Sequence, residues 1–122
     1  MYDVLVSILG KLNSNTELKK LVSSINPFGV IDINKAYYKY INLTSDKAIG
    51  QSRFEFTVVC DNYINSLKGI AEAKRSLLTL GDEMLDNNIL SVVLNGGGSL
   101  RDLDSGTYQE SAFFTITYKE RI

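Results

Sequence analysis

The 122-residue sequence contains no histidine, one cysteine and one proline. Without histidine the chain lacks the commonest general base, the commonest metal ligand and the base of any Ser-His or Cys-His nucleophile pair. The lone Cys60 has no partner for an internal disulfide, so nothing points to an oxidising compartment. An excess of one charge is missing too. Thirteen basic against fourteen acidic residues leave −1 at neutral pH, without the basic stripe of a dedicated nucleic-acid binder. No apolar run approaches membrane-spanning length. Neither a membrane nor a specific nucleic-acid sequence is therefore an expected partner. The stretch "MYDVLVSILGKLNSN" carries Asp3 and no basic n-region, and reads as part of the fold rather than a secretory signal. The sequon "NLT" at 42 to 44 is then a chance match, in a protein expected to work inside a cell or in an assembly made there.

What is present is ordinary globular material. Hydrophobic residues at 44% and charged residues at 22% argue against disorder, and 1–122 reads as a single domain able to bury a core. Leu5, Ile8, Leu9 and Leu12 recur at helical spacing, as do Leu18, Leu21, Val22 and Ile25, with "SNTE" between them as a capping box from Ser14 to Glu17. Two helices or one kinked helix fit equally, ended by Asn26-Pro27. "FGVIDINK" is ambiguous. "AYYKYINL" (36–43) and "RFEFTVVC" (53–60) read as hairpin strands, the second with Phe54, Phe56, Val58 and Cys60 inward and Arg53, Glu55 and Thr57 outward. Asp61 or Asn62 caps a helix to about Leu80, with Ile64, Leu67, Ile70, Ala71, Leu77 and Leu78 on its apolar face and Gly81 past its end. Gly69 inside it costs roughly 1 kcal/mol against alanine, and close packing on the sheet is one role that the sequence alone does not decide. "DEMLDNN" is a turn, and "ILSVVLN" (89–95) and "ESAFFTITY" (110–118) are further strands. The order ααββαββ gives an α/β (α+β) fold, with helices on one face of a mostly antiparallel four-stranded sheet.

Between the last two strands lies "GGGSLRDLDSGTYQ", a connection of 14 residues where hairpins usually need roughly 2 to 5. Gly96, Gly97 and Gly98 fit neither phosphate-binding fingerprint, because Arg101 stands where the dinucleotide motif needs glycine or alanine and a strand follows instead of a helix. Asp102 and Asp104 alternate as in a calcium loop, but Phe113 occupies the place of its bidentate glutamate. Only a weak cation site at those two aspartates stays open. Leu100, Leu103 and Tyr108 set among Arg101, Asp102 and Asp104 suit an arm that docks on another protein, and a mobile loop without a role suits the same composition. Elsewhere, Asp82, Glu83 and Asp86 read as a solvated helix end and Cys60 as core. Tyr38 and Tyr40 share one face of their strand and Tyr37 and Lys39 the other, an arrangement open to base stacking, but the surrounding charge is not basic, which favours packing. No catalytic residue, metal or cofactor is expected.

Three stretches taken together resemble the tail terminator (tail completion) proteins of long-tailed bacteriophages. They are "MYDVLVSILGKLNSNTELKKLV", "QSRFEFTVVCDNYINSLKGIAEAKRSLL" and "SGTYQESAFFTITYKE". The resemblance implies a non-enzymatic virion protein at the head-proximal end of the tail. It implies a homo-oligomeric ring, typically of six subunits, that ends polymerisation of the tail tube protein and offers a surface to the head connector protein. A ring of repeated contacts needs two different patches on each subunit. Arg53, Glu55 and Thr57, together with Gly96–Gly98, Leu100, Arg101, Asp102, Leu103, Asp104 and Tyr108, are the residues expected to supply them. Two alternatives stay open: a small ligand-binding or regulatory module with a glycine-rich lid, and a different head-tail joining protein.

Overall fold

The N-terminal helical spacing produces two helices, α1 (Tyr2–Asn13) and α2 (Thr16–Leu21). Strands β1 (Ile25–Pro27), β2 (Lys35–Ser45) and β3 (Ile49–Cys60) follow, then helix α3 (Tyr63–Asp82) and strands β4 (Ile89–Asp102) and β5 (Thr107–Lys119). The computed structural model describes residues 2–45, 49–82, 88–102 and 106–119. The described strands form one five-stranded sheet in the order β1-β2-β3-β5-β4, antiparallel except where β1 runs parallel to β2.

The sheet thus has one strand more than expected, and the order is ααβββαββ. A three-residue strand ending in proline shows no alternation that a sequence pattern could reveal. It exists because β2 offers it partners: Ala36 N–H donates to the Ser24 carbonyl at 3.0 Å and Phe28 N–H to the Tyr38 carbonyl at 2.9 Å. At an edge the missing N–H of Pro27 is tolerated.

The capping box also gives way to a different cap. Asn15 Oδ1 accepts from Leu18 N–H at 3.0 Å, while the same side chain donates to the Glu72 carbonyl at 3.2 Å and to Ser76 Oγ at 2.8 Å. One amide therefore starts α2 and ties it to α3. Ser14 is occupied at the end of α1, donating to the Lys11 carbonyl at 2.8 Å, and Glu17 pairs with Lys20. The helix preceding Pro27 ends at Leu21, with Val22 as its cap and Ile25 already in β1.

Alternation on β3 and β5 builds the core. Phe54, Phe56, Val58 and Cys60 sit beside Ala112, Phe114, Ile116 and Tyr118, all buried on one face. Helix α3 lies across β3, β5 and β4, and α1 and α2 pack against α3, adding Val4, Ile8, Leu12, Leu18 and Val22 to the same cluster. Asn62 caps α3, its side chain accepting from Asn65 N–H at 3.2 Å.

The buried stripe of α3 is rotated from the expected one. Ser66, Gly69, Ile70, Ala73, Ser76, Leu77 and Leu80 face inward, whereas Ile64, Ala71 and Leu78 are exposed. Side-chain size explains the shift. The sheet presents large rings, so the helix approaches with its small residues, a fit that hydrophobicity alone does not encode. Helix α3 also runs through Gly81 to Asp82, past the expected glycine stop. The turn expected at 83–87, with Glu83 and Asp86, lies outside the described residues.

Gly69 carries the closest approach. A Cβ there would stand 2.8 Å from Val58 Cγ1, against a β-branched side chain that is fully buried. Gly69→Ala is therefore expected to destabilise the fold by about 1–3 kcal/mol despite alanine's better helix propensity. In a Val58→Ala background the same change should cost less, and denaturant unfolding of the four proteins in this double-mutant cycle measures the coupling.

Candidate functional site

The sequence nominates two groups of partner-facing residues, one on β3 and one in the glycine-rich stretch. That stretch is strand, not loop. Gly96, Gly97 and Gly98 pair with Phe113, Ala112 and Ser111, and the ladder continues through Leu100↔Gln109 and Arg101↔Tyr108 to Asp102↔Thr107. Beyond a bulge between Leu94 and Gly96, β4 simply continues where alternation of side chains stops. Glycine is a poor strand former alone, but β5 offers a complete row of backbone donors and acceptors and overrides that preference. The turn is closed by Gly106, at φ 69°, whose N–H donates to the Asp102 carbonyl at 2.9 Å. Leu103 and Asp104 lie outside the described residues. With the glycines held in a ladder, a flexible arm or lid hinged on them has no structural basis.

Gly97 is required sterically, since a Cβ on it would collide with the Ser111 carbonyl. Gly98 faces open space.

Register brings the β3 group onto one surface with Gly96 and Gly98. Glu55 pairs with Phe113, which pairs with Gly96; Thr57 pairs with Ser111, which pairs with Gly98. On this face, away from the helices, Arg53 Nε contacts Glu55 Oε2 at 2.8 Å and its guanidinium lies 4.8 Å from the centre of the Phe113 ring. Thr57 and Ser111 share a hydroxyl hydrogen bond of 2.8 Å. All of these side chains are half-buried. With no side chains on Gly96 and Gly98, the β4 edge of this face is a shallow floor on which another backbone can approach closely.

Arg101 and Tyr108 belong elsewhere. They sit on the helix side of the hairpin, where the guanidinium lies 5.3 Å from the Tyr108 ring centre and that ring lies 5.6 Å from Tyr63. Tyr63, Ser99, Leu100, Arg101, Tyr108 and Glu110 line a cleft of about 370 Å³. The sequence offered no sign of Tyr63, Ser99 or Glu110 as neighbours, because only the β4–β5 register and the start of α3 bring them together.

A second surface lay hidden in the ambiguous stretch before β2. Phe28, Val30, Ile31 and Ile33 are exposed, Val30 to 94%. Phe28 makes an edge contact with Tyr37, whose hydroxyl accepts from Asp32 N–H at 2.7 Å, and this explains how a tyrosine facing away from the helices is buried. Tyr38 and Tyr40 share one face as expected, and that face is the core side. Four exposed apolar side chains within six residues make the kind of patch that meets another protein.

Cys60 is buried in the core, and burial pushes its thiol pKa up, with the negative charge of Asp61 adding to the effect. That is the setting of an inert thiol.

No family model and no curated protein sequence matches the chain. Its fold is shared with a chain in a solved structure titled "Virion of native gene transfer agent (GTA) particle", at a TM-score of 0.70 over 93% of this chain and 92% of that one. Identity between the two is 10%, so the likeness is one of fold.

Gly97→Ala should lower stability by about 2 kcal/mol or more, whereas Gly98→Ala stays within about 0.5 kcal/mol of the parent; thermal unfolding of both variants decides whether the strand needs glycine for space. Cys60 should resist an aromatic disulfide reagent in the native protein and react promptly once the chain is unfolded in denaturant.

Proposed function

We propose that this chain is a structural protein of a phage-like virion, and more narrowly a tail terminator. In this reading copies of the chain form a ring, with six the expected number, on the head-proximal end of the tail tube. The ring ends growth of the tube protein and presents a surface to the head connector, and no catalysis is involved.

The observation that carries the reading is the fold likeness to a chain of a gene transfer agent virion, which extends over nearly the whole of both chains. The surface supports it. A head-to-tail ring needs two different patches per subunit, and the strand order places the β1 and β4 edges on opposite sides of the sheet. Exposed Val93 and Leu100 lie on β4, and exposed Phe28 and Val30 follow β1, while Ile31 and Ile33 lie beside Asp102, Thr107 and Gln109 of the β4–β5 hairpin. A net charge of −1 does not oppose self-association.

Disruption of the gene in the parent virus tests the proposal through electron microscopy of lysates. A terminator's loss should give tails of uncontrolled length beside filled, tailless heads, restored by the wild-type chain in trans. Tails of normal length that fail to attach would assign the chain to another head-tail joining step, and normal virions would refute a structural role altogether.

A further inference from the structure

The cleft between α3 and the β4–β5 hairpin holds an acidic group that the ring reading leaves unused. Glu110 is only 7% exposed, and among the described residues its carboxylate accepts one hydrogen bond, from Ser99 Oγ at 2.6 Å. No described lysine or arginine forms an ion pair with it. Arg101 lines the same cleft but lies over Tyr108 instead. Removing a carboxylate from water is costly unless a cation and further hydrogen bonds replace the lost solvation. Beside it stand two aromatic rings, Tyr63 and Tyr108, 5.6 Å apart and inclined at 55°. A carboxylate floor under aromatic walls is the arrangement that holds a guanidinium or alkylammonium, through charge-assisted hydrogen bonds below and cation–π attraction at the sides.

We infer that this cleft is a receptor for a basic side chain, arginine or lysine, presented by another protein. Its volume of about 370 Å³ suits a side chain better than a large cofactor. The position beside the outer edge of β4 lets a partner's backbone run alongside. Arg101, exposed at the mouth, is free to leave Tyr108 and meet a carboxylate next to the incoming base. The inference rests on the cleft alone and stands whether or not the chain caps a tail.

Titration of the full chain with N-acetyl-arginine methylamide and, separately, N-acetyl-lysine methylamide, followed by NMR, tests it. Saturable shifts confined to Tyr63, Ser99, Arg101, Tyr108 and Glu110 are expected. Affinity should fall by about tenfold or more in Glu110→Gln, which keeps the shape of the side chain and the Ser99 contact. Tyr63→Leu, which removes one exposed ring wall without touching the carboxylate, should weaken binding as well, and its unchanged spectrum elsewhere reports an intact fold. N-acetyl-glycine methylamide is the control for the capped backbone. Absence of saturable shifts at these residues, equal shifts with the glycine control, or binding that survives both substitutions would overturn the inference. Binding of free putrescine with equal or greater affinity would mark a small-amine site and would equally contradict a side-chain receptor.

Discussion

The pairing of β3 with β5 is the constraint on which the rest of the molecule depends. It runs from Ile49↔Lys119 to Cys60↔Tyr108 without a break in register, and it places Phe54, Phe56, Phe114 and Tyr118 on one side. That side must be covered, because leaving several large rings in water costs roughly 1.5–3 kcal/mol each. Helix α3 covers it with small residues, and α1 and α2 close over α3. Asn15 fastens α2 to α3 by capping α2 while donating to groups of Glu72 and Ser76 on α3. A slip of β5 by one residue would turn the rings toward solvent and dissolve all of these contacts together.

The same arrangement fixes what is left for other molecules. With the helices on one side, the opposite face keeps a half-exposed row of Arg53, Glu55, Thr57 and Phe113, held in place by their own ion pair, ring and hydroxyl contacts. The outer edges fall to β1 and β4. A sheet that ends in a long strand with exposed Val93, Leu94 and Leu100 carries the usual hazard of uncontrolled edge pairing. In the assembly role proposed above that hazard becomes the binding feature, which would account for a glycine-bearing edge beside an apolar segment in one small chain.

Much of this architecture was legible from residues alone, because period-two alternation on β3 and β5 and the helical spacing of α1 are direct images of burial. The misses have specific causes. Strand β1 is created by hydrogen bonds to β2, which leave no trace in three residues ending at Pro27. The glycine stretch lacks side chains with which to alternate, so its continuation of β4 depends on the ladder that β5 provides. The stripe on α3 turned because the match of Gly69 to Val58 outweighed the burial of Ile64 and Leu78. Of the residues nominated for partner contact, the β3 group lies on the open face as the alternation implied. Arg101 and Tyr108 parted from it to join Tyr63 and Glu110, a grouping set by three-dimensional register and invisible in linear spacing.

The proposal that this chain works by contact with other virion subunits draws on the fold likeness to a chain of a gene transfer agent virion and on the unburied edges. Immunogold labelling of purified particles carrying an epitope-tagged copy of this chain probes that claim most directly. Label at the head-proximal end of the tail is the predicted result. Particles of normal morphology and infectivity without label, with the tagged chain left in the soluble fraction, would contradict it.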